Sequence, residues 1–181
     1  MQLKKKLLIA LVALSLVISV PVTYAWLVKA SNSVSNIFTV GDIRITLRET
    51  TGDTYYLTPG VTLEKDPVVT VHGGSEACWL FVRMEADPAL NQLLTYQLAD
   101  GWHALGGHSG VYYRMVDLNA ANQSFHILLQ DQVTVNDFVT EEMLSTLAGH
   151  PTITFSAYAI QQEQVDSASQ AWQLLMAAQE G

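Results

Sequence analysis

The sequence predicts an all-β fold: an antiparallel β-sandwich with short helical insertions and a C-terminal amphipathic helix. Three observations carry this. Roughly eight short runs alternate between apolar and polar residues or are rich in β-branched and aromatic ones. Turn chemistry separates them, built on Gly, Pro, Asn and Asp. Helical patterns are few and late, which argues against alternating βαβ units, and no repeat of 20–50 residues is present.

The N-terminus stands apart. Lys4, Lys5 and Lys6 precede an uncharged apolar run from Leu7 to Val22, and Thr23–Ala25 supplies small residues at the −3 and −1 positions of a cleavage site. This is the layout of a secretory signal peptide, residues 1–25, with the cut between Ala25 and Trp26. "VKA", ending at Ala30, is a second possible site. An uncleaved segment would be a membrane anchor, because the uncharged stretch continues to Val28 and just spans a bilayer of roughly 30 Å. N-terminal sequencing of the exported chain is therefore expected to begin at Trp26. Intact Met1 in the membrane fraction would mean an anchor instead.

Residues 26–36, "WLVKASNSVSN", begin apolar and become rich in Ser and Asn, which predicts a mobile arm ahead of a β-sandwich domain over 37–181. "FTVGDIRITLRE" then alternates, with Ile43, Ile45 and Leu47 on one face and Arg44, Thr46 and Arg48 on the other. This reads as one half-buried strand. "TTGD" and "TPG" are turns, with Pro59 suited to turn position i+1 and Gly60 free to take φ > 0. Val68–Val71 is a short β-branched strand that Gly73-Gly74 ends. Ala77–Glu85 is a long strand with Cys78, Leu80, Val82 and Met84 on one face.

"DPALNQLL", residues 87–94, predicts a short helix or a loop insertion. "TYQLADGWHAL" predicts a hairpin about Asp100-Gly101. "GGHSG" is loop, and Val111–Val116 is a tyrosine-rich strand. Phe125–Leu129 and Val133–Val135 follow as strands. Thr140 can cap a short helix that Glu141-Glu142 favour at its first turn and that Gly149 and Pro151 stop. "TITFSAYAI" is the last strand. "QVDSASQAWQLLMAAQ" is an amphipathic helix with Val165, Ala168, Trp172, Leu175 and Met176 near one face.

Composition limits the function. The 181 residues, 49% apolar, suit a single domain. Removal of residues 1–25 takes away three of the nine basic residues and none of the 17 acidic ones, which leaves a net charge of −11. That sign argues against nucleic acid and anionic membranes as partners, so membrane contact is expected only through the uncleaved signal segment. Cys78 is the only cysteine, so the exported chain has no intramolecular disulfide, and its strand pattern predicts a buried, inert thiol.

The chain resembles the TasA–camelysin family of secreted matrix-fibre proteins of Gram-positive bacteria. The resemblance covers most of the sequence and rests on the order and spacing of several motifs. These are the Lys-rich start, the apolar run, the small-residue site followed by an aromatic (Ala25, Trp26), the Ser/Asn arm and "FTVGDIRITL", Phe38–Leu47. The "TPG" turn, "GGSEACWLFVRME" and "ITFSAYAIQ", Ile153–Gln161, add to it. The resemblance implies export through a dedicated signal peptidase and a jelly-roll-like β-sandwich. It also implies fibre assembly, in which one subunit's N-terminal strand adds to the sheet of the next. The assembly-arm residues are then Trp26, Leu27, Val28, Val34, Phe38 and Val40, and the partners are further copies or related matrix subunits. The chain differs from fibre-forming members in its Trp- and Gly-rich stretch at Trp102–Gly110 and in its C-terminal helix, which is expected to cover an edge strand.

One member of that family has been described as a metalloprotease, so a secreted metal-dependent hydrolase or binding module is the alternative function. His72, His103, His108, His126 and His150 are scattered, and no H-E-x-x-H places two ligands one helical turn apart. His103 and His108, five apart in a Gly-rich stretch, are the nearest to a metal pair, with a solvated loop as the plainer reading. Asp66, Glu85 and Asp87 match no Ca²⁺ loop spacing. Trp79, Trp102, Tyr112 and Tyr113 suit core packing more than a glycan platform. No catalytic residue, metal or cofactor is expected, and the function expected is structural: a component of the extracellular matrix or cell surface.

Overall fold

Gly41 splits in two what alternation alone would join. The computed structural model describes residues 29–30, 36–51, 55–147 and 151–180. In "FTVGDIRITLRE", read above as one strand, Gly41 takes φ +99°, a conformation costly to residues with a Cβ. A Cβ there would also meet the Gln161 side chain at 2.8 Å. The chain turns a corner at this point. Strand β2 (Asn36–Val40) joins one sheet and β3 (Ile45–Arg48) joins another. Ahead of them β1 (Lys29–Ala30) pairs antiparallel with β4 (Tyr55–Tyr56), so two residues of the segment expected as a free arm are held by the domain.

The largest sheet has the order β2-β13-β7-β10-β9, with β7 Cys78–Ala86, β9 His103–Ala104, β10 Val111–Val116 and β13 Ile153–Gln161. Its ladders are antiparallel except at one edge, where β2 runs parallel to β13. The wholly antiparallel expectation fails there because a parallel pair needs a long connection, and here the connection is nearly the entire domain. A second sheet orders β11-β6-β3, with β6 Val68–Val71 and β11 Gln123–His126. A third orders β5-β12-β8, with β5 Thr62–Glu64, β8 Leu94–Leu98 and β12 Leu128–Val135.

Three apolar clusters hold these sheets together. In the first, Ile45, Leu47, Val69 and Val71 of the second sheet pack against Cys78, Leu80, Val82 and Met84 of β7 and Phe155, Ala157 and Ala159 of β13. The inward face expected for β7 is the observed one. Its other face is buried as well. Trp79 and Phe81, with Tyr158 and Ile160 of β13, lie under helix α3 (Ala168–Glu180) through Ala168, Ala171, Trp172 and Leu175. Ser167 caps this helix by accepting from the Gln170 N–H at 3.2 Å. The helix thus covers the face of the two central strands, not an edge as expected from its position at the chain's end. The third cluster sits beneath α1 (Pro88–Asn91) and α2 (Glu141–Ser145), which bury Leu90 and Leu144 beside Leu57, Leu93 and Val135. Asp87 and Thr140 cap α1 and α2, accepting from the N–H groups of Ala89 and Met143. Helix α2 closes at Ser145, before the expected stop at Gly149, which lies outside the described residues along with His150.

Two further readings are corrected. Asp100-Gly101 makes a turn, yet β8 and β9 do not pair: β8 pairs with β12 and β9 with β10. A type I′ hairpin needs φ > 0 at both central residues, and here only Gly101 has it, at +84°. The Trp102 indole then donates to the His126 carbonyl at 2.8 Å and anchors the chain as it changes sheets. The strand expected over Phe125–Leu129 breaks at Ile127, whose N–H donates to the Pro67 carbonyl between β11 and β12. The "TPG" turn forms as read, with the Val61 N–H donating to the Thr58 carbonyl at 3.1 Å and Gly60 at φ +72°.

Burial pushes the Cys78 thiol up to about 12, and the side chain is fully enclosed. Iodoacetamide is expected to leave Cys78 untouched in the native protein and to label it fully in guanidinium. Rapid native labelling would show that β7 is not enclosed between the second sheet and α3.

The loop joining β3 to β4 is fastened by Asp66. Thr50 and Thr51 donate to its carboxylate from their backbone N–H groups, at 2.8 and 2.9 Å, and from both hydroxyls. Burial alone would raise this carboxyl, but the four hydrogen bonds outweigh it and hold it well below the usual carboxylate range. A depressed folded pKa gives stability that is present above the unfolded value of about 3.9 and is lost as pH falls. Asp66→Asn is therefore expected to lower stability at pH 7, with the difference from the parent shrinking below about pH 4 in denaturant titrations. A difference that stays constant from pH 7 to 2.5 would show that the charge is not what the clasp holds.

Candidate functional site

The strand next to the arm lies at the edge of the largest sheet. Residues Asn36 to Val40 pair in parallel register with Ser156 to Ile160. The other side of β2 carries no strand among the described residues. Such an edge is a row of backbone N–H and C=O groups open to a further strand. Of the two edges of this sheet, β2 has five residues and β9 two. A short edge offers little to a partner, so β2 is the wider landing.

The sequence fits each face of β2 to its place. Phe38 and Val40 point to the side carrying α3 and pack against the cluster of Trp79, Phe81 and Trp172. Ile37 takes the opposite side and is 46% exposed. Phe38 and Val40, expected in the assembly arm, are thus seated in the chain's own sheet. Ala25, Trp26, Leu27, Val28 and Val34 lie outside the described residues. Among the described residues no helix is long and apolar enough to cross a membrane.

The candidate chemistry is dispersed. His103 lies against Tyr113, with ring centroids 5.6 Å apart, and His108 lies against Trp172 at 6.2 Å, so each is turned onto its own aromatic neighbour. His126 contacts Asp131 at 2.8 Å through Nδ1. Asp66 is taken by Thr50 and Thr51, Glu85 pairs with Arg83 at 2.6 Å, and Asp87 caps α1. Among the described residues no three His, Cys, Asp or Glu side chains gather as a metal site. Trp79 and Trp102 are buried, and Trp79 donates its indole N–H to the Val165 carbonyl at 3.1 Å. Tyr112 meets Tyr96 hydroxyl to hydroxyl at 3.3 Å.

Two cations are drawn into the fold, Lys65 buried and Arg114 half-buried. Lys65 is buried and paired with Glu49, with its ammonium 5.1 Å from the Tyr55 ring centre and 5.5 Å from that of Phe155. Burial, aided by the nearby Glu49 charge, pushes the Tyr55 hydroxyl up to about 12. The Arg114 guanidinium lies over Phe125 at 3.9 Å and near Trp102 at 5.4 Å, and desolvation lowers its pKa. Both cations lie against aromatic rings of the fold, which suits a structural role. Sequence reasoning missed a polar cleft between β8 and β12. Its only signal is "LLQDQ", Leu128–Gln132, which interrupts the apolar alternation. The chain matches no family model and no characterised protein.

Proposed function

We propose that this chain is a secreted structural protein of the bacterial extracellular matrix or cell surface. It assembles into fibres, or joins those of related subunits, by strand addition. Its architecture in this reading is a jelly-roll-like β-sandwich whose N-terminal arm, once freed from the signal peptide, docks on a neighbour. The observation that carries the reading is β2: the strand that continues the arm is a sheet edge, and among the described residues no strand pairs with its other side. An extended segment from another copy can satisfy that open row with main-chain hydrogen bonds. The contact is head-to-tail and need not close, so it can propagate. The resemblance to secreted matrix-fibre proteins points the same way, as does a surface whose −11 charge keeps single subunits apart in dilute, low-salt solution.

Electron microscopy of the purified chain beginning at Trp26, over a concentration series, tests this directly. Filaments, or decoration of filaments made by a related subunit, are the expected result. A particle that stays monomeric at every concentration and decorates nothing would overturn it.

A further inference from the structure

We propose that the cleft between β8 and β12 is a binding site for a neutral, hydroxyl-rich ligand, an uncharged glycan segment. The site begins with an irregularity. Leu128 faces Leu98 and Val133 faces Tyr96, so four residues of β12, 129–132, stand opposite Gln97 alone. Two consecutive non-glycine residues in this bulge, Gln130 and Asp131, take left-handed conformations at φ +57° and +55°. Backbone in that region persists only where its surroundings enforce it. The enforcement here is visible: the Asp131 carbonyl accepts from the Lys65 N–H at 2.7 Å, and its carboxylate holds His126.

The bulge opens a cleft of about 240 Å³, lined by Thr95, Gln97, Leu129, Gln130, Gln132 and Thr134 together with Tyr96. No charged side chain lines it, in a chain with 17 acidic residues. Thr134 and Thr95 are engaged by Thr62 and Asn136. The amides of Gln97, Gln130 and Gln132 make no hydrogen bond to any described residue. Each offers two N–H donors and a carbonyl acceptor. Sugar hydroxyls donate and accept at the same atom and match such amides, whereas an anionic ligand would find no counter-charge. Glu64, the cross-strand partner of Gln132, adds a negative flank that repels acidic chains. Leu129, 39% exposed, supplies apolar contact for the C–H face of a ring.

The site is independent of strand addition, and its test does not need assembly. The chain beginning at Trp26 is titrated with neutral oligomers of glucose, galactose and N-acetylglucosamine, and with oligogalacturonate as the acidic control. Glutamine side-chain amide signals are followed by NMR. At least one neutral oligomer is expected to shift the signals of Gln97, Gln130 and Gln132 at millimolar concentration, and the acidic control is expected to leave them in place. Gln130→Gly keeps a residue suited to φ > 0 while removing one amide, so it is expected to fold at least as well and to bind at least about fivefold more weakly. Gln97→Ala, on the other strand, is expected to weaken binding similarly, and Thr70→Ala on the second sheet to leave it unchanged. Two results overturn the proposal: no neutral oligomer moving these signals, or binding unaltered in both glutamine variants.

Discussion

Trp172→Ala is expected to cost the protein about 3–5 kcal/mol and to lower its melting temperature by roughly 10–15 °C. Trp172 is buried, with ring centroids 5.3 Å from Phe81 and 5.1 Å from Tyr158. Helix α3 has 13 residues, a length that is marginal for an isolated helix. Its existence therefore depends on the apolar face it lays on β7 and β13. Truncating the ring removes the contact at the middle of that face and leaves a cavity between helix and sheet. Partial release of α3 would then put Trp79, Phe81 and Tyr158 in water, which adds to the loss. Leu174→Ala is the matched control. Leu174 lies on the same helix but is 44% exposed, so its truncation should change stability by no more than about 0.5 kcal/mol. Thermal melts of both variants check this. A Trp172→Ala protein that melts within a degree or two of the parent would show that α3 is not part of the cooperative unit.

The same residues show how far the sequence was legible. The strands whose apolar residues alternate or cluster were readable: Val68–Val71, Cys78–Ala86, Val111–Val116 and Ile153–Gln161 stand where the pattern puts them. The face of α3 was readable because its period is that of a helix. Where α3 docks was not read, although "ACWLFVRME" and "ITFSAYAI" held the clue. Both are apolar on successive residues, the pattern of a strand buried on two faces, and such a strand needs a cover on each side. Pairing partners were less accessible. Alternation is local and says nothing about which sheet a strand joins, so the corners at Gly41 and Gly101 looked like strand and hairpin. Gly41 had a local signal, a glycine within the alternating run, which marks a bend or a close approach. The edge position of β2 had no local signal, because a parallel partner more than a hundred residues away is set by the whole fold. The glutamine cleft was hidden for the same reason: its two walls come from β8 and β12, and only their pairing brings Gln97 beside Gln130 and Gln132.

Deleting Trp26–Asn36 is expected to abolish assembly while leaving a folded monomer. The fold loses little by the deletion. The pairing of Lys29–Ala30 with Tyr55–Tyr56 involves two residues a side, and Phe38 and Val40 remain to hold β2 on β13. Assembly loses much more. Trp26, Leu27 and Val28 form an apolar tip, and burying such side chains gives roughly 1.5–3 kcal/mol each. Much of that is offset by the cost of association, yet a remainder of about 3 kcal/mol already moves the critical concentration by more than a hundredfold. The Ser/Asn-rich middle, "SNSVSN", has little apolar surface to gain from its own domain, so the tip is expected to gain most on a neighbour. Charge sets the conditions. For a chain cut after Ala25 the net charge is −11, so repulsion should oppose contact at low ionic strength and be screened where the Debye length falls to about 8 Å, near 0.15 M salt. Assembly of the full processed chain should therefore rise with salt, and with falling pH as carboxylates are protonated. Sedimentation velocity of both forms from 10 to 500 mM salt decides the matter. If the truncated chain assembles as readily as the full one, the joint between subunits lies elsewhere and strand donation by this arm is wrong. If neither assembles but the full chain decorates filaments of a related subunit through the same residues, the arm is a joint to that partner rather than to a second copy.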